Sequence, residues 1–315
     1  MKISFCTTCM GRLEHLKQTL PRNLLGNPNT DDVGVEFVVL NYGDKDGMHE
    51  WMTTDTQVLS EIEAGRLIYA RTDQPVFRMA HAKNMAHRLA TGDVVCNVDA
   101  DNFTGEGFAE ALADLFAKKP NVILNPSYRV SFSSEQEGGG GLFGRMALTR
   151  SNFERLGGYD ESYSGWGSED TNLSRRARML GIHYVRFENN DFLGIIHHGD
   201  DERVQNMFTD DASRQREKEK VVFYKKSSGL QKIWKASKDR LPIFVRSLAA
   251  NGGTHFGLGH VDFLNTNDTD FDIKPLKGTK VSLFDEIARV GYMRNLLRDR
   301  LEPNVISLKG PDARP

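Results

Sequence analysis

Short apolar stretches alternate with amphipathic ones over the first 120 residues, and polar turns separate them. Four apolar stretches, rich in β-branched and aromatic residues, indicate buried strands. They cover residues 3–6, 35–40, 67–70 and 94–98. The stretches between these strands have the periodicity of helices. A first helix begins at Gly11 and is closed by Pro21 and the Asn/Gly/Pro cluster after residue 25; others cover residues 48–63, 80–90 and 106–119.

Strands and helices that alternate at this spacing predict an α/β fold, with a mostly parallel sheet covered by helices on both faces. The first hundred residues are typical of a nucleotide-binding half. Beyond residue 200 the pattern weakens, so we expect a main domain over residues 1–210 and a C-terminal, mainly helical or irregular extension over 211–315. A basic, aromatic-containing stretch at 214–235 indicates a solvated helix or a contact for an anionic acceptor. A further helix is expected near 283–301.

The composition of the chain makes some classes of function less compatible with it than others. The 43 acidic and 41 basic residues nearly cancel, so no overall field draws the chain to nucleic acid or to a membrane surface. The three cysteines are odd in number and lie mostly in apolar runs, which favours reduced thiols over a disulfide framework. No apolar run approaches the length of a membrane span, and no secretory segment is recognisable. We therefore expect a cytoplasmic protein for which nucleic-acid binding is disfavoured.

The strand at residues 94–98 stops at two acids, Asp99 and Asp101, with one alanine between them. The carboxyl ends of strands in an open α/β sheet form the rim where ligands bind. Two carboxylates this close repel each other unless a cation or hydrogen-bond donors intervene, and a divalent ion with oxygen ligands satisfies that requirement. Ordinary capping acids at a helix entry are the alternative explanation.

A second acidic site follows a glycine-rich loop, where the sequence from Gly165 reads Gly-Trp-Gly-Ser-Glu-Asp. Ser168 is a candidate N-cap, which puts Glu169 and Asp170 in the first turn of a helix. The helix dipole alone favours acids there. However, Trp166 between two glycines indicates a loop shaped to lie beside a ligand.

Two histidines, His197 and His198, end another short apolar run, which is compatible with either structural residues or metal ligands. The turn after the first strand has no phosphate-cradling glycine motif. A bound nucleotide would therefore depend on scattered side chains and on a metal. The glycine run at 138–141 is either a flexible loop or a close approach of backbone to ligand.

Taken in order, these motifs resemble the metal-dependent GT-A glycosyltransferases, particularly β-1,4-galactosyltransferases and family 2 bacterial enzymes. Residues 77–84, Phe-Arg-Met-Ala-His-Ala-Lys-Asn, are similar to the segment of that family that contacts the nucleotide. Asp99-Ala100-Asp101 matches its Asp-x-Asp, and the sequence from Trp166 to Asp170 resembles its Trp-Gly-x-Glu-Asp. The likeness spans about residues 1 to 200.

The resemblance implies a role for each motif. Asp101 and His198, with Asp99 and His197 as further candidates, would bind Mn²⁺ or Mg²⁺. Asp170 would be the catalytic base, and Glu169 would position donor or acceptor. The donor, a UDP-sugar, would contact the following residues: Thr7, Arg12, Asn41, Lys83, Asn84, Asp99 and Trp166.

The resemblance also implies a reaction, the transfer of a hexose or N-acetylhexosamine to a hydroxyl with inversion at the anomeric carbon. The acceptor could be a carbohydrate, a protein or another hydroxyl-bearing molecule. Three alternatives remain open: a retaining enzyme of the polypeptide N-acetylgalactosaminyltransferase type, a glycosidase that uses two carboxylates, and a sugar-binding domain without catalysis.

Overall fold

A computed structural model describes residues 1–127, 142, 144–188, 190–226, 249–263, 270–277 and 305–308. Within these residues, ten strands form one sheet. Four central strands run parallel to one another: β1 (Lys2–Cys9), β2 (Gly34–Asn41), β3 (Leu67–Arg71) and β4 (Val94–Asn97). The predicted α/β fold with a mostly parallel sheet is confirmed.

Helices cover both faces of this sheet because its central strands are apolar on both sides. On β1, Ile3 and Phe5 pack into one hydrophobic cluster, whereas Cys6 packs into the other. The helices between the central strands are α1 (Leu13–Gly26), α2 (Met48–Thr54), α3 (Thr56–Glu63) and α4 (Met79–Leu89). Further along are α5 (Phe108–Lys118), α6 (Arg150–Arg155), α7 (Glu169–Met179), α8 (Asp200–Val204) and α9 (Asp211–Lys226).

Two local expectations were wrong. Helix α1 ends at Gly26, in the Asn/Gly/Pro cluster as expected, but Pro21 lies inside it and does not close it. Burial of Leu20 and Leu24 outweighs the one hydrogen bond that proline removes. The helix expected over 48–63 is two helices, since the chain extends at Asp55. The Asp55 carboxylate accepts a hydrogen bond of 3.0 Å from the backbone N–H of Val58 and so caps α3.

The other half of the sheet departs from parallel order at β7 (Ala147–Thr149), which runs antiparallel to both β4 and β6 (Val122–Pro126). Next to β6 lies the parallel strand β8 (His183–Phe187). A separate antiparallel pair joins β5 (Asn102–Phe103) to β9 (Gly194–Ile195). This small pair brings the residues after Asp101 next to the residues before His197, which are far away in sequence.

Segments beyond residue 210 also contribute strands. β10 (Gly259–Phe263) pairs with β3 and with β11 (Asp270–Ile273), both antiparallel, and β12 (Val305–Ile306) runs parallel to β8. The strand order of the sheet is β11-β10-β3-β2-β1-β4-β7-β6-β8-β12. The division near residue 210 stays a prediction. The helix expected near 283–301, the glycine run at 138–141 and residues 227–235 of the basic stretch lie outside the described residues.

Candidate active site

The first acidic segment begins where β4 ends. The side-chain amide of Asn97 donates a hydrogen bond of 3.0 Å to Asp99 Oδ1. Burial and the charge of Asp101 raise the pKa of Asp99, although the ammonium of Lys83 opposes this. The Asp99 carboxyl group therefore keeps its proton to a higher pH than an exposed aspartate does.

Asp101 faces His198 across the small β5–β9 pair. Its Oδ2 lies 2.8 Å from His198 Nε2, and both side chains are almost fully buried, with 8% and 6% exposed. The pKa of Asp101 is lowered because the hydrogen bond and charge of His198, with the charge of Arg12, overcome the effect of burial. His197 is exposed, so His198 is the histidine of the pair that reaches the acidic segment.

A divalent ion at this point would have few protein ligands. Among the residues that the structure describes, no three His, Cys, Asp or Glu side chains converge as a metal site would require. Asp101 and His198 supply one oxygen and one nitrogen. The remaining coordination positions would have to come from substrate oxygens or water.

The second acidic segment is tied to α4 by Lys83. The Lys83 ammonium is 2.9 Å from Glu169 Oε1 and 2.9 Å from Asp170 Oδ1, and only 3% of its side chain is exposed. Burial alone would lower the pKa of Lys83, but the charges of Asp170, Glu169 and Asp99 raise it well above its ordinary value. Lys83 is therefore a permanent internal cation in this site.

The two acids next to Lys83 differ in protonation. Burial disfavours the charge on Glu169, yet the charge and hydrogen bond of Lys83 lower its pKa, so Glu169 stays ionised. Burial and the neighbouring Glu169 raise the pKa of Asp170 to about 8, with Lys83 opposing. Two carboxylates on one cation thus divide into a fixed charge and a proton-exchanging group.

Gly144 joins the two acidic segments. A Cβ atom placed on Gly144 would lie 3.0 Å from Asp99 Oδ2, 3.2 Å from Asp170 Oδ2 and 3.5 Å from the Lys83 ammonium. The absence of a side chain lets the backbone pass between these groups. Asp99 and Asp170, 71 positions apart in the printed sequence, therefore border a single small space.

The loop before α7 has an unusual backbone. Gly165, Gly167 and Ser168 have φ angles of 84°, 79° and 82°, all in the left-handed region. Ser168 occupies the N-cap position, as expected, but its side chain makes no capping hydrogen bond. Trp166 is half-buried, and the guanidinium of Arg203 lies 5.7 Å from its ring centroid.

Sequence reasoning missed Arg145, which is 1% exposed. Its guanidinium donates hydrogen bonds to the backbone oxygen of Phe192 and, at 3.0 Å, to Asn102 Oδ1. Asn102 in turn donates from Nδ2 to Asp101 Oδ1 at 2.7 Å. An arginine inside the apolar run 142–148 was the available signal, since a buried cation requires acidic or carbonyl partners.

The other residues predicted to contact the donor differ in burial. Arg12 donates a hydrogen bond of 2.7 Å to the backbone oxygen of Glu202, near Asp101. Thr7 is buried in β1, and Asn41 is buried at the end of β2, where its amide donates to the Tyr69 hydroxyl at 3.1 Å. The structure does not bring Thr7 or Asn41 into contact with the acidic groups through any described hydrogen bond.

Asn84 is buried, and the described hydrogen bonds of its side chain do not involve Asp99, Asp101, Glu169 or Asp170. Its Oδ1 accepts from the Tyr159 backbone N–H at 2.7 Å, and its Nδ2 donates to Tyr159 O at 2.9 Å and to Glu161 Oε1 at 2.8 Å. The amide thus clamps the chain that leads to the Trp166 loop. Its contact with nucleotide stays a prediction.

Residues 125–198 match the family model described as the N-terminal domain of galactosyltransferase. This segment resembles galactosyltransferases. The match contains Gly144, the Trp166 loop, Glu169 and Asp170, and it ends at His198, so the resemblance inferred from the motifs is confirmed over that part. No curated protein sequence matches the chain.

Several solved structures are similar in fold. Mannosyltransferase PcManGT from Pyrobaculum calidifontis, in complex with GDP-Man and Mn²⁺, has a TM-score of 0.45 and 20% identity over 59% of this chain. TarS 1–349 from S. aureus, in complex with UDP, has a TM-score of 0.43 and 12% identity over 78% of each chain. GalNAc-T7 with UDP, GalNAc and Mn²⁺ has a TM-score of 0.44 and 14% identity over 58% of this chain and 41% of its own. The chain spans about half, 55%, of the mannosyltransferase.

None of the helices in the described part of the chain has the length and apolarity of a membrane span.

Proposed function

We propose that this protein is a metal-dependent glycosyltransferase that moves a hexose or N-acetylhexosamine from a UDP-sugar to an acceptor hydroxyl with inversion. The observation that carries the proposal is the space beside Gly144, which Asp99, Asp170 and Lys83 all border. One acidic segment there has a histidine partner suited to a metal, and the other has a proton-exchanging carboxyl group. The family-model match over residues 125–198 supports the same reaction class.

Asp101 and His198 are the residues that would hold the metal. His198 Nδ1 lies 3.1 Å from the backbone oxygen of Gly199, to which it can donate a proton. That tautomer leaves the Nε2 lone pair facing Asp101 Oδ2, and two acceptors at 2.8 Å require a proton or a cation between them. A mixed oxygen and imidazole set suits Mn²⁺, with Mg²⁺ as the alternative. When bound, the metal would supply positive charge for the leaving diphosphate.

Asp170 is the proposed base. Its unprotonated form accepts the proton of the acceptor hydroxyl while the hydroxyl oxygen bonds to the anomeric carbon and the bond from that carbon to the diphosphate breaks. A carboxylate whose pKa is raised to about 8 is a stronger base than an exposed aspartate. Direct attack by the hydroxyl in one displacement inverts the anomeric centre. Glu169, kept ionised by Lys83, positions donor or acceptor.

Other side chains would hold the donor. Arg12, whose charge acts on Asp101, would attract the diphosphate, and Asp99 would hold ribose or metal. Asn41 has a buried Oδ1 that makes no hydrogen bond within the described structure, so it offers an acceptor to the nucleotide. Thr7, Lys83 and Asn84 stay predicted donor contacts. Trp166 offers an aromatic face to the sugar or acceptor and helps to exclude water.

The test is a screen of UDP-sugars for UDP release in the presence of Mn²⁺, with the Asp170→Asn variant beside the wild type. We expect release with at least one sugar, no release without metal, and loss of transfer in the variant while UDP binding persists. Asp114→Asn, an exposed acid on α5, is the matched control. Normal transfer by Asp170→Asn would refute the base assignment.

Three outcomes would favour the alternative functions. Proton NMR of the first product formed reports its anomeric configuration, and retention would overturn the inverting mechanism. UDP binding without turnover for any sugar would indicate a sugar-binding domain. Hydrolysis of glycosides by a protein that ignores UDP would indicate a glycosidase.

A further inference from the structure

Helix α9 contacts the Trp166 loop through one acidic side chain, Glu217. Glu217 is 8% exposed, although it lies in a helix with exposed acids and bases on either side. Its Oε1 accepts a hydrogen bond of 2.8 Å from the backbone N–H of Trp166. Lys220 of the same helix also donates to this oxygen, at 3.0 Å. The carboxylate is therefore held by its own helix and directed at the backbone of the loop.

The absence of a side chain at Gly165 leaves room for this carboxylate. A Cβ atom on Gly165 would lie 2.6 Å from Glu217 Oε1, 2.7 Å from its Cδ and 2.8 Å from its Oε2. These distances are shorter than any ordinary contact, so the carboxylate packs flat against the glycine backbone. Gly165 therefore meets two requirements at once, its φ of 84° and the space for Glu217.

The backbone of the loop has conformations that contacts with the rest of the chain help to maintain. Ser168 has a φ of 82°, which a residue with a side chain adopts at a cost that its surroundings must offset. The two glycines that flank Trp166 leave the loop with many alternative conformations. The position of the tryptophan thus depends on contacts from elsewhere in the chain.

A second contact comes from α8. Arg203 lies over the Trp166 ring, and its charge also interacts with Asp101 and Asp99. An ion pair of 2.5 Å between Lys218 and Asp201 joins α9 to α8. The two helices together therefore hold the ring and the backbone of Trp166, and both follow the segment that matches the family model.

We propose that Glu217 is a positioning residue that fixes Trp166 for acceptor binding, which makes the acceptor site dependent on a helix beyond the galactosyltransferase-like segment. This inference rests on the proposed function for its kinetic consequence only. Trp166 directly precedes the turn that contains Glu169 and Asp170. Of the two partners proposed for its ring, sugar and acceptor, we therefore take the acceptor, which Asp170 deprotonates, as the one whose binding depends on the anchor. Loss of the anchor weakens acceptor binding and leaves the metal-proximal donor contacts in place.

The experiment compares Glu217→Ala with Glu217→Gln, whose amide oxygen can still accept from the Trp166 N–H. We expect Glu217→Ala to raise the acceptor KM about tenfold, equivalent to about 1.4 kcal/mol, with the KM for the UDP-sugar within about twofold of wild type. We expect Glu217→Gln to restore most of the acceptor affinity. Glu219→Ala, an exposed glutamate on the same helix, is the matched control and is expected to behave as wild type.

A spectroscopic readout tests the anchor without activity. The chain has three tryptophans, so protein labelled with 5-fluorotryptophan gives three fluorine NMR signals, and Trp166→Phe identifies one of them. Glu217→Ala should shift and broaden that signal, whereas Glu217→Gln and Glu219→Ala should not. If Glu217→Ala does not fold, Gly165→Ala displaces the same carboxylate from the other side and should produce the same shift.

Failure of the role proposed for Glu217 and failure of the proposed function give different results. An unchanged Trp166 signal in both Glu217→Ala and Gly165→Ala, or equal effects on acceptor and donor KM, would overturn the role of Glu217 while leaving the transferase proposal intact. Absence of transfer by the wild-type protein would overturn the proposed function, and the fluorine signal would still decide whether Glu217 holds Trp166.

Discussion

Replacement of Lys83 by methionine removes the cation between a buried acid, Glu169, and a partly buried one, Asp170, and keeps a side chain of similar length. Lys83 and Glu169 are each 3% exposed, and Asp170 is 15% exposed. Methionine fills most of the same volume, so the change tests charge and not packing. We expect a strongly destabilised but folded protein.

The magnitude follows from the distances. At 2.9 Å and an effective dielectric constant of about 20, each ion pair with Lys83 has a gross Coulomb energy of about 6 kcal/mol. Desolvation of the three groups offsets much of this. Removal of one partner from a buried pair leaves an uncompensated charge, which typically costs about 3–5 kcal/mol. We expect the free energy of unfolding to fall by that amount at pH 8.

The loss of stability in Lys83→Met should become larger as pH rises. In the wild type, Lys83 lowers the pKa of Glu169 below its ordinary value of 4.5, so the contribution of this pair is fully present above that pH. Without Lys83, burial raises the pKa of Glu169, and the folded variant then binds a proton that the unfolded chain does not. Its stability relative to wild type should therefore fall as pH rises, by up to about 1.4 kcal/mol per pH unit.

Urea unfolding followed by circular dichroism at pH 5.5 and pH 8 measures both effects. Lys118→Met is the control, because Lys118 is 74% exposed and 3.5 Å from Asp114, a surface pair worth less than about 1 kcal/mol. A loss below about 1 kcal/mol for Lys83→Met at pH 8, or an equal loss at both pH values, would refute the assignment of Lys83 as the cation that stabilises Glu169.

Three further predictions concern the reaction. Transfer by the wild type, measured as kcat/KM across pH 6 to 9, should rise through a pKa of about 8 as Asp170 loses its proton, and the residual rate of Asp170→Asn should lack this rise. His198→Ala should weaken Mn²⁺ binding about 10- to 100-fold by isothermal calorimetry, whereas His197→Ala, at an exposed position, should not. Arg145→Met should also weaken Mn²⁺ binding, because Asn102 then loses the partner that orients it toward Asp101, and unchanged affinity would refute that role.

Much of the fold could be predicted from the sequence because strand and helix periodicity are local properties. Runs of β-branched residues produced β1 to β4 within a few residues of their expected limits. The break at Asp55 was missed because an acid within a helical pattern either continues the helix or caps the next one, and periodicity does not distinguish the two. The antiparallel direction of β7 depends on how the chain returns to the sheet, which a short apolar run does not encode.

The candidate site also has a part that the sequence predicts and a part that only the fold decides. Asp99 and Asp101 were identifiable because they end an apolar run, and Glu169 and Asp170 because they follow a tryptophan that lies between two glycines. The meeting of Asp99, Asp170 and Lys83 beside Gly144 is a property of the folded chain alone. Local sequence determines which groups a segment can offer. Only packing of segments distant in sequence decides which charges are desolvated together, and burial together is what separates Asp170 from Glu169 in pKa.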